Sequence, residues 1–368
     1  MKPGGPPIEV KPMHDAQGDF PLADNAATGD GRAPGQPLVS LVVTAYNIAP
    51  YLEECIRSIQ AQTHANLEIV IVDDCSSDSS AEIAQSLAAQ DKRITLVRKS
   101  KNEGALYAKL DGIRYSTGSY FLLCDGDDWL SPHAVTTCLR HIHGCDCVIF
   151  DINFVDHTSR TPHPNLYPAA IREKIARGQK LSNFEWASIN HMMQLYFYDA
   201  RVKQDFLAIY SGYPPLPYYE ELPGFALTMS FNRVRPIPDV LYQYRLNRPG
   251  QSTEDWWHLK RSVKYLSLDT AIATTARTAT TASRDVQEIV FFKLLKIAFA
   301  EYRGILMHNV KEFPRLRNAL LEILGKIGTP RHFFLTSPKA FVFLLALKLS
   351  PPSLVQLAMP RLLKMARL

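Results

Sequence analysis

Residues 38–44 read Leu-Val-Ser-Leu-Val-Val-Thr, a short apolar run that is rich in β-branched residues. Such runs are typical of strands that are covered on both faces, as they are in parallel sheets. Further apolar runs follow at residues 67–72, 94–97, 120–124 and 147–150. Because stretches with helical spacing separate these runs, the sequence predicts an α/β fold with a mainly parallel sheet flanked by helices.

The rest of the chain is divided around this pattern. Helices between the predicted strands are expected at residues 50–62, 79–89, 104–116 and 132–143. Residues 1–37 are rich in Pro, Gly, Ala and Asp and lack apolar periodicity, which predicts a disordered leader. From about residue 256 onward the apolar spacing is helical, so we expect a helical C-terminal region.

The charge of the chain is unevenly placed. Its net charge is +5, but residues 286–368 carry 13 Lys and Arg against 4 Asp and Glu, a local charge of +9. A basic segment suits phosphate-bearing partners or an anionic membrane surface, and solvated faces of packed helices explain it equally well. The sequence has no apolar run of about 18 residues and no apolar signal segment, so we expect a cytoplasmic location.

Polar side chains follow the ends of the predicted strands. They are Thr44 and Tyr46 after the first strand, Asp73 and Asp74 after the second, Asn102 and Gly104 after the third, and Asp125, Asp127 and Asp128 after the fourth. In open α/β sheets, ligands bind beyond the carboxyl ends of the strands. An aromatic platform for a base, with carboxylates for base N–H groups and ribose hydroxyls, suits a nucleotide.

The carboxylates of Asp125, Asp127 and Asp128 need a compensating cation if they lie near a core. A hard divalent cation such as Mg²⁺ or Mn²⁺, shared with substrate phosphates, is the usual solution. The alternative is a strand end followed by an ordinary Asp/Gly turn. Neither a GxGxxG turn nor a P-loop is present, so a metal would supply most of the charge that neutralises a bound phosphate.

The strand-end segments resemble those of the family 2 glycosyltransferases, which are inverting, nucleotide-sugar-dependent enzymes with the GT-A fold. The segments that carry the resemblance are residues 39–47 (VSLVVTAYN), 69–78 (IVIVDDCSSD), 102–104 (NEG) and 124–129 (CDGDDW). The resemblance is strong over residues 38–150 and continues more weakly to residue 253. It identifies the acidic segment with the DxD motif of the family, in which Asp127 or Asp128 would ligate the metal.

The resemblance implies nucleotide-binding roles for the matched positions. Thr44 and Tyr46 would frame the nucleobase, while Asp74, supported by Asp73, would accept a hydrogen bond from it. Further nucleotide-binding positions that it implies are Asn102, Gly104, Lys109 and Asp125. Lys109 stands where the family usually has Arg, which is a departure from the family pattern.

An inverting transfer is a single displacement at the anomeric carbon, and a carboxylate must take the proton of the acceptor hydroxyl. The family usually carries this base in a Glu-Asp pair. Glu221 stands at the Asp position of such a pair and is the predicted base, with Glu220 as second choice and an ordinary acidic loop as the alternative. Arg245 and Arg248 match the closing segment of the family and would reach the diphosphate, unless they are solvated.

The resemblance therefore implies transfer of one sugar from a nucleotide-diphosphate sugar, most often a UDP-sugar, to a glycan or lipid-linked acceptor in surface polysaccharide biosynthesis. The QxxRW segment of processive synthases is absent. A non-catalytic nucleotide- or glycan-binding relative and a sugar nucleotidyltransferase are the alternatives, and a nucleic-acid-binding protein is not expected. The expected domains are a leader at 1–37, the nucleotide-sugar and acceptor halves of a GT-A domain at 38–150 and 151–253, and a helical, basic region at 254–368.

Overall fold

The structure is a computed structural model that describes residues 35–156, 162–163, 167–189, 192–214, 221–231, 233–246, 270–271, 274–275, 282–290, 292–294 and 321. The strands are β1 (Val39–Ala45), β2 (Leu67–Asp73), β3 (Ile94–Arg98), β4 (Tyr120–Asp125), β5 (Trp129–Leu130), β6 (Cys147–Asp156), β7 (Pro162–His163), β8 (Tyr196–Asp199) and β9 (Val234–Leu246). The α-helices are α1 (Ala49–Gln60), α2 (Ser80–Gln90), α3 (Ala105–Tyr115), α4 (Ala134–Ile142), α5 (Ala169–Ala176), α6 (Asn183–Trp186), α7 (Lys203–Ile209) and α8 (Glu221–Ser230). The alternation predicted between residues 38 and 150 is confirmed.

Within the described residues the strands form a mixed sheet in the order β3-β2-β1-β4-β8-β6-β9-β5, with β7 paired to β6. Strands β3, β2, β1 and β4 run parallel. Strand β8 is antiparallel to both β4 and β6, and β5 is antiparallel to β9. The parallel half was predicted from the sequence. The antiparallel half was not, because residues 171–250 show no single period of apolar residues.

The core lies against the parallel strands. Every residue of β1 is buried, and so is every residue of β2 except Glu68. Helix α1 buries Leu52, Ile56 and Ile59 completely, at the spacing of one helix face. Each such aliphatic side chain contributes about 1.5–3 kcal/mol by leaving water, so this packing fixes the parallel strands as a rigid platform.

The described residues fall into two compact units. The first contains the described residues from 35 to 164, together with Gln194–Lys203 and the part of β9 that begins at Asp239. The second contains the remaining described residues, among them α5, α6 and α8. The functional boundaries predicted from the sequence stay predictions, because compactness alone does not assign roles.

Little of the predicted leader and of the C-terminal region belongs to the described residues. Residues 284–290 and 292–294 are helical, with Ile289 and Phe292 buried as the apolar spacing predicts. Most of the basic segment beyond them lies outside the described ranges. Among the residues that the structure describes, none of the helices is both long enough and apolar enough to span a membrane.

Candidate functional site

The predicted strand-end residues of the first unit meet at one edge of the sheet. In the parallel register Thr44 lies opposite Val72 on one side and Asp125 on the other. Tyr46 follows directly after β1, and 47% of it is exposed. An exposed ring beside a row of buried strand ends offers a flat apolar surface for a ligand, as predicted for a nucleobase platform.

Asp125 ends β4, and the surrounding side chains hold its carboxylate from both sides. Oδ1 lies 3.1 Å from Lys109 Nζ and accepts a hydrogen bond from the Thr44 hydroxyl at 3.2 Å. Oδ2 accepts a hydrogen bond from Gln194 Nε2 at 2.9 Å. The Lys109 side chain is 7% exposed and that of Asp125 is 23% exposed, so this ion pair lies at the edge of the core. The arrangement fixes one carboxylate in direction while leaving part of it open to solvent.

Gly126 forms a close backbone contact with β1. Its N–H donates to the Thr44 carbonyl at 2.9 Å. A Cβ atom at this position would lie 2.7 Å from that same carbonyl oxygen and 2.5 Å from Ile48 Cδ1. Because a backbone oxygen cannot move aside as a flexible side chain does, only glycine fits between Asp125 and Asp127 in this turn.

Asp128 is buried, and both of its carboxylate oxygens accept hydrogen bonds. The Tyr242 hydroxyl donates to Oδ2 and the Arg245 backbone N–H donates to Oδ1, each at 2.7 Å. Burial, and then the charges of Asp127 and Asp125, raise the pKa of Asp128 well above its usual range. These contacts favour a structural role for Asp128. Ligation of a metal ion by Asp128 stays a prediction.

Asp127 lies between these two anchored carboxylates and is half-buried. Its carbonyl oxygen accepts a hydrogen bond from Arg245 Nε at 2.7 Å. Among the described residues there is no group of three or more His, Cys, Asp or Glu side chains that could hold a metal ion. Mg²⁺ and Mn²⁺ are often held by one or two carboxylates and completed by substrate phosphates and water, so the oxygen donors of this turn fit such an ion.

The second acidic strand end is built around a buried lysine. Lys99 Nζ lies 3.0 Å from Asp74 Oδ1, 3.1 Å from Glu103 Oε2 and 3.4 Å from Asp111 Oδ2. Burial lowers the pKa of Lys99, but the hydrogen bonds and charges of these carboxylates outweigh burial and raise it. Asp74 also accepts hydrogen bonds from the backbone N–H groups of Glu103 and Gly104. The cluster thus ties the loop after β2 to the loop before α3.

We expect Lys99→Met to destabilise the protein by about 3–5 kcal/mol, because it leaves buried carboxylates without their cation. The free energy of unfolding, measured by urea titration, checks this. Lys101→Met is the matched control, since the Lys101 side chain is 74% exposed and pairs with Glu103 Oε1 at the surface. The control should change the free energy by less than about 1 kcal/mol. Equal losses in both variants would contradict the role given to Lys99.

The remaining positions that were predicted to bind a nucleotide lie in the loops of the same edge. Asp73 is 1% exposed, and its Oδ2 accepts a long hydrogen bond of 3.4 Å from the Ser76 N–H. Asn102 Oδ1 accepts from the Gly104 N–H at 2.9 Å. Gly104 has a φ of 92°, a conformation that favours glycine, and directly precedes α3. Their contacts are therefore within the loops, and contact with a nucleotide stays a prediction.

Some of the predicted site residues, or their side chains, lie outside the part of the chain that the structure describes. Glu221 is the first residue of α8, in the second unit, but its side chain is not among the described ones. Glu220 and Arg248 lie outside the described residues. Arg245 is 1% exposed and donates hydrogen bonds to the Asp127 carbonyl and to Glu54 Oε2, and its contact with a diphosphate stays a prediction.

Sequence reasoning missed four residues that hold this edge together: Gln194, Tyr242, Lys99 and Glu54. Lys99 had a signal, because a lysine that directly follows a strand is a natural counter-ion for an acidic strand end beside it. Tyr242 lies three residues before Arg245, in the same closing segment. Gln194 and Glu54 had no local signal, since their partners are 69 and 191 residues away in sequence.

Comparisons with known proteins agree with this geometry. The family model described as Glycosyl transferase family 2 matches residues 40–198. The chain is 34% identical over 120 residues to the glycosyltransferase GlyG of Streptococcus pneumoniae, covering 33% of this chain and 40% of GlyG. It is 42% identical over 95 residues to the uncharacterized glycosyltransferase EpsJ of Bacillus subtilis, covering 26% of this chain and 27% of EpsJ. The chain thus spans less than half the length of these curated relatives.

The fold is shared with a solved structure. S. aureus TarS 1-349 in complex with UDP-GlcNAc superposes with a TM-score of 0.60 at 18% identity, over 80% of this chain and 82% of that chain. At this identity the likeness concerns the fold alone, and it confirms the GT-A fold that the sequence predicted. Residues 40–198 of this chain therefore match glycosyl transferase family 2 in sequence and have the fold of a solved glycosyltransferase structure.

Proposed function

We propose that the protein is an inverting glycosyltransferase that moves one sugar from a nucleotide-diphosphate sugar, a UDP-sugar first of all, to a glycan or lipid-linked acceptor. The observation that carries this proposal is the position of the family match. It covers β1 to β4, whose carboxyl ends hold the exposed ring of Tyr46 and the carboxylates of Asp125 and Asp127. A site for a nucleotide diphosphate needs an apolar ring for the base and carboxylates for a cation on the diphosphate, all at one edge of the sheet.

In the nucleotide half of the proposed site, the protein already holds the carboxylates of Asp74 and Asp125 in direction. The ring of Tyr46 takes the base, with Thr44 beside it. Asp74 would accept a base N–H in addition to the bonds it already receives from the protein. Lys109 neutralises part of the charge of Asp125, so a second anionic group, the donor diphosphate, meets less repulsion there.

Mn²⁺ or Mg²⁺, held by Asp127 with Asp125 as the second candidate, would neutralise the charge of the leaving diphosphate. Asp128 keeps the turn in place through Tyr242 and Arg245. An anchored turn matters because a cation would stabilise the negative charge that develops on the diphosphate only if the carboxylate that holds it is fixed in position before the reaction.

The chemical step that we propose is a single displacement. The acceptor oxygen forms a bond to the anomeric carbon while the bond from that carbon to the diphosphate oxygen breaks. Glu221, or Glu220 in second place, takes the proton of the acceptor hydroxyl. Glu221 is the first residue of α8.

The acceptor and the place of action rest on the sequence resemblance. Polysaccharide or glycoconjugate biosynthesis at the inner face of the plasma membrane is the proposed setting, with the basic residues between 286 and 368 as a peripheral contact to anionic lipid. Such a contact would bring a lipid-linked acceptor to a protein whose described helices do not span a membrane.

The proposal is tested by calorimetric titration of the purified chain with UDP, in the presence and in the absence of Mn²⁺. We expect binding that depends on Mn²⁺, followed by turnover of at least one UDP-sugar when a panel that includes UDP-GlcNAc is offered. If UDP does not bind, GDP, CMP and dTDP are titrated in the same way. Failure of all four nucleotides to bind would make the proposal wrong.

A further inference from the structure

Arg245 is a buried charge in the first unit. It lies near the end of β9, it is 1% exposed, and no other fully buried side chain is larger among the residues described. An isolated guanidinium in a protein interior is very costly, so a buried arginine is retained only where its donors are satisfied. Its partners therefore indicate what it is for.

Those partners belong to the acidic turn and to helix α1. Arg245 donates from Nε to the Asp127 carbonyl and from Nη2 to Glu54 Oε2, each at 2.7 Å. Its backbone N–H donates to Asp128 Oδ1, also at 2.7 Å. Arg245 thus bonds to Asp127 and to Asp128 and connects them to Glu54 on α1.

Two aromatic rings hold the guanidinium in place. Its Cζ atom lies 5.0 Å from the centre of the Tyr51 ring and 4.7 Å from the centre of the Trp129 ring. Both distances are within the range of a cation–π contact. Tyr51 lies on α1, and Trp129 directly follows the acidic turn, so the rings join the same two elements that the hydrogen bonds join.

We propose that Arg245 is a positioning residue, which fixes the Asp127–Asp128 turn to helix α1 through Glu54 and so sets where the Asp127 carboxylate meets the cation on the donor diphosphate. This inference rests on the proposed function of the site. Direct contact of Arg245 with the diphosphate is the competing role, but at 1% exposure the guanidinium offers little surface to such a ligand. Outer partners of metal ligands commonly control metal affinity through ligand orientation.

Glu54→Gln tests the inference without touching the turn itself. The Glu54 side chain is 42% exposed, so the variant should fold, but a neutral amide weakens the charge-assisted bond to Arg245. We expect the affinity for Mn²⁺, measured by titration at saturating UDP, to fall about tenfold, at the lower end of the range for outer partners of a metal site. The melting temperature of the ligand-free protein is measured alongside.

Glu53→Gln is the matched control. Glu53 is the neighbouring residue on α1, its side chain is 64% exposed, and it pairs with Arg57 at the surface. This variant should keep the Mn²⁺ affinity of the wild type. Arg245→Lys should lower that affinity by about 10-fold to 100-fold, because a lysine ammonium cannot reach the Asp127 carbonyl and Glu54 in the same fork geometry.

The outcomes separate the inference from the function on which it rests. A wild-type protein that shows no Mn²⁺-dependent UDP binding contradicts the proposed function itself. If the wild type binds and Glu54→Gln lowers only the melting temperature, Arg245 serves stability alone and the inference is wrong. If Arg245→Lys weakens UDP binding while Glu54→Gln leaves Mn²⁺ affinity unchanged, Arg245 contacts the diphosphate directly, and the inference is again wrong. Should Arg245→Lys fail to fold, Glu54→Gln decides.

Discussion

Asp127→Ala should abolish the Mn²⁺-dependent binding of UDP. Asp127 is the acidic residue of the turn to which we assign the metal, whereas Asp125 is held by Lys109 and Gln194 and Asp128 is buried against Tyr242. Loss of an outer partner commonly lowers metal affinity by about 10-fold to 100-fold, so loss of the ligand itself should lower it by more than about 100-fold. Calorimetric titration with UDP and Mn²⁺ gives the affinity directly.

The matched control for this change is Asp205→Ala. Asp205 is an exposed aspartate in the first turn of α7, outside the acidic turn. The control substitution also removes one aspartate carboxylate from the chain, and it should leave both the UDP and the Mn²⁺ affinities at the wild-type values. Tight UDP binding by Asp127→Ala that EDTA still removes would mean that another residue ligates the metal. Asp125 would then be the next candidate, since part of its carboxylate is open to solvent.

Glu221→Gln should remove turnover while leaving donor affinity unchanged. The amide preserves the shape of the side chain but cannot accept the proton of the acceptor hydroxyl. A positioned general base contributes about 100-fold to 10,000-fold to a rate, and the loss should fall in that range. Release of UDP from the sugar nucleotide that the wild type consumes gives the rate, and calorimetry gives the donor affinity. A change in rate without a change in affinity is what loss of a transition-state interaction produces.

Glu220→Gln is the natural comparison, because the two glutamates are adjacent and the family pattern favours only one of them. If Glu220→Gln is inactive and Glu221→Gln keeps its rate, the base is Glu220. If both variants keep the wild-type rate, the base lies elsewhere and the acidic pair is an ordinary loop. A fall in donor affinity in Glu221→Gln would assign that side chain to binding instead of proton transfer.

The fold of the nucleotide half was predictable because its signal is local. Continuous apolar runs such as Leu38–Thr44 are found where a strand is buried on both faces, and β1 is buried along its whole length. The spacing of Leu52, Ile56 and Ile59 likewise predicts helix α1. Strands β8 and β9 have less regular patterns, and their pairing depends on long-range contacts.

The candidate site was predictable in position but not in internal order. The carboxyl ends of parallel strands meet at one edge, so the sequence alone predicts that Thr44, Asp74 and Asp125 lie together. Which carboxylate is exposed and which is buried depends on partners that are far away in sequence. Asp128 looked equivalent to Asp127 in the sequence, and only the buried hydroxyl of Tyr242 and the backbone of Arg245 distinguish them.

The anchors of the acidic turn have a consequence for how the chain is assembled. Gln194, which bonds to Asp125, lies 69 residues further along the chain. Arg245 lies 117 residues after Asp128 and 118 residues after Asp127, to both of which it bonds. When residues 38–150 have emerged from the ribosome, the chain contains the residues of the parallel strands but not the downstream residues that anchor the acidic turn. The nucleotide edge is therefore completed late, after contacts of high sequence separation have closed. We therefore expect a fragment cut after residue 150 to keep the acidic motif but to lack Gln194, Tyr242 and Arg245, which hold it in place.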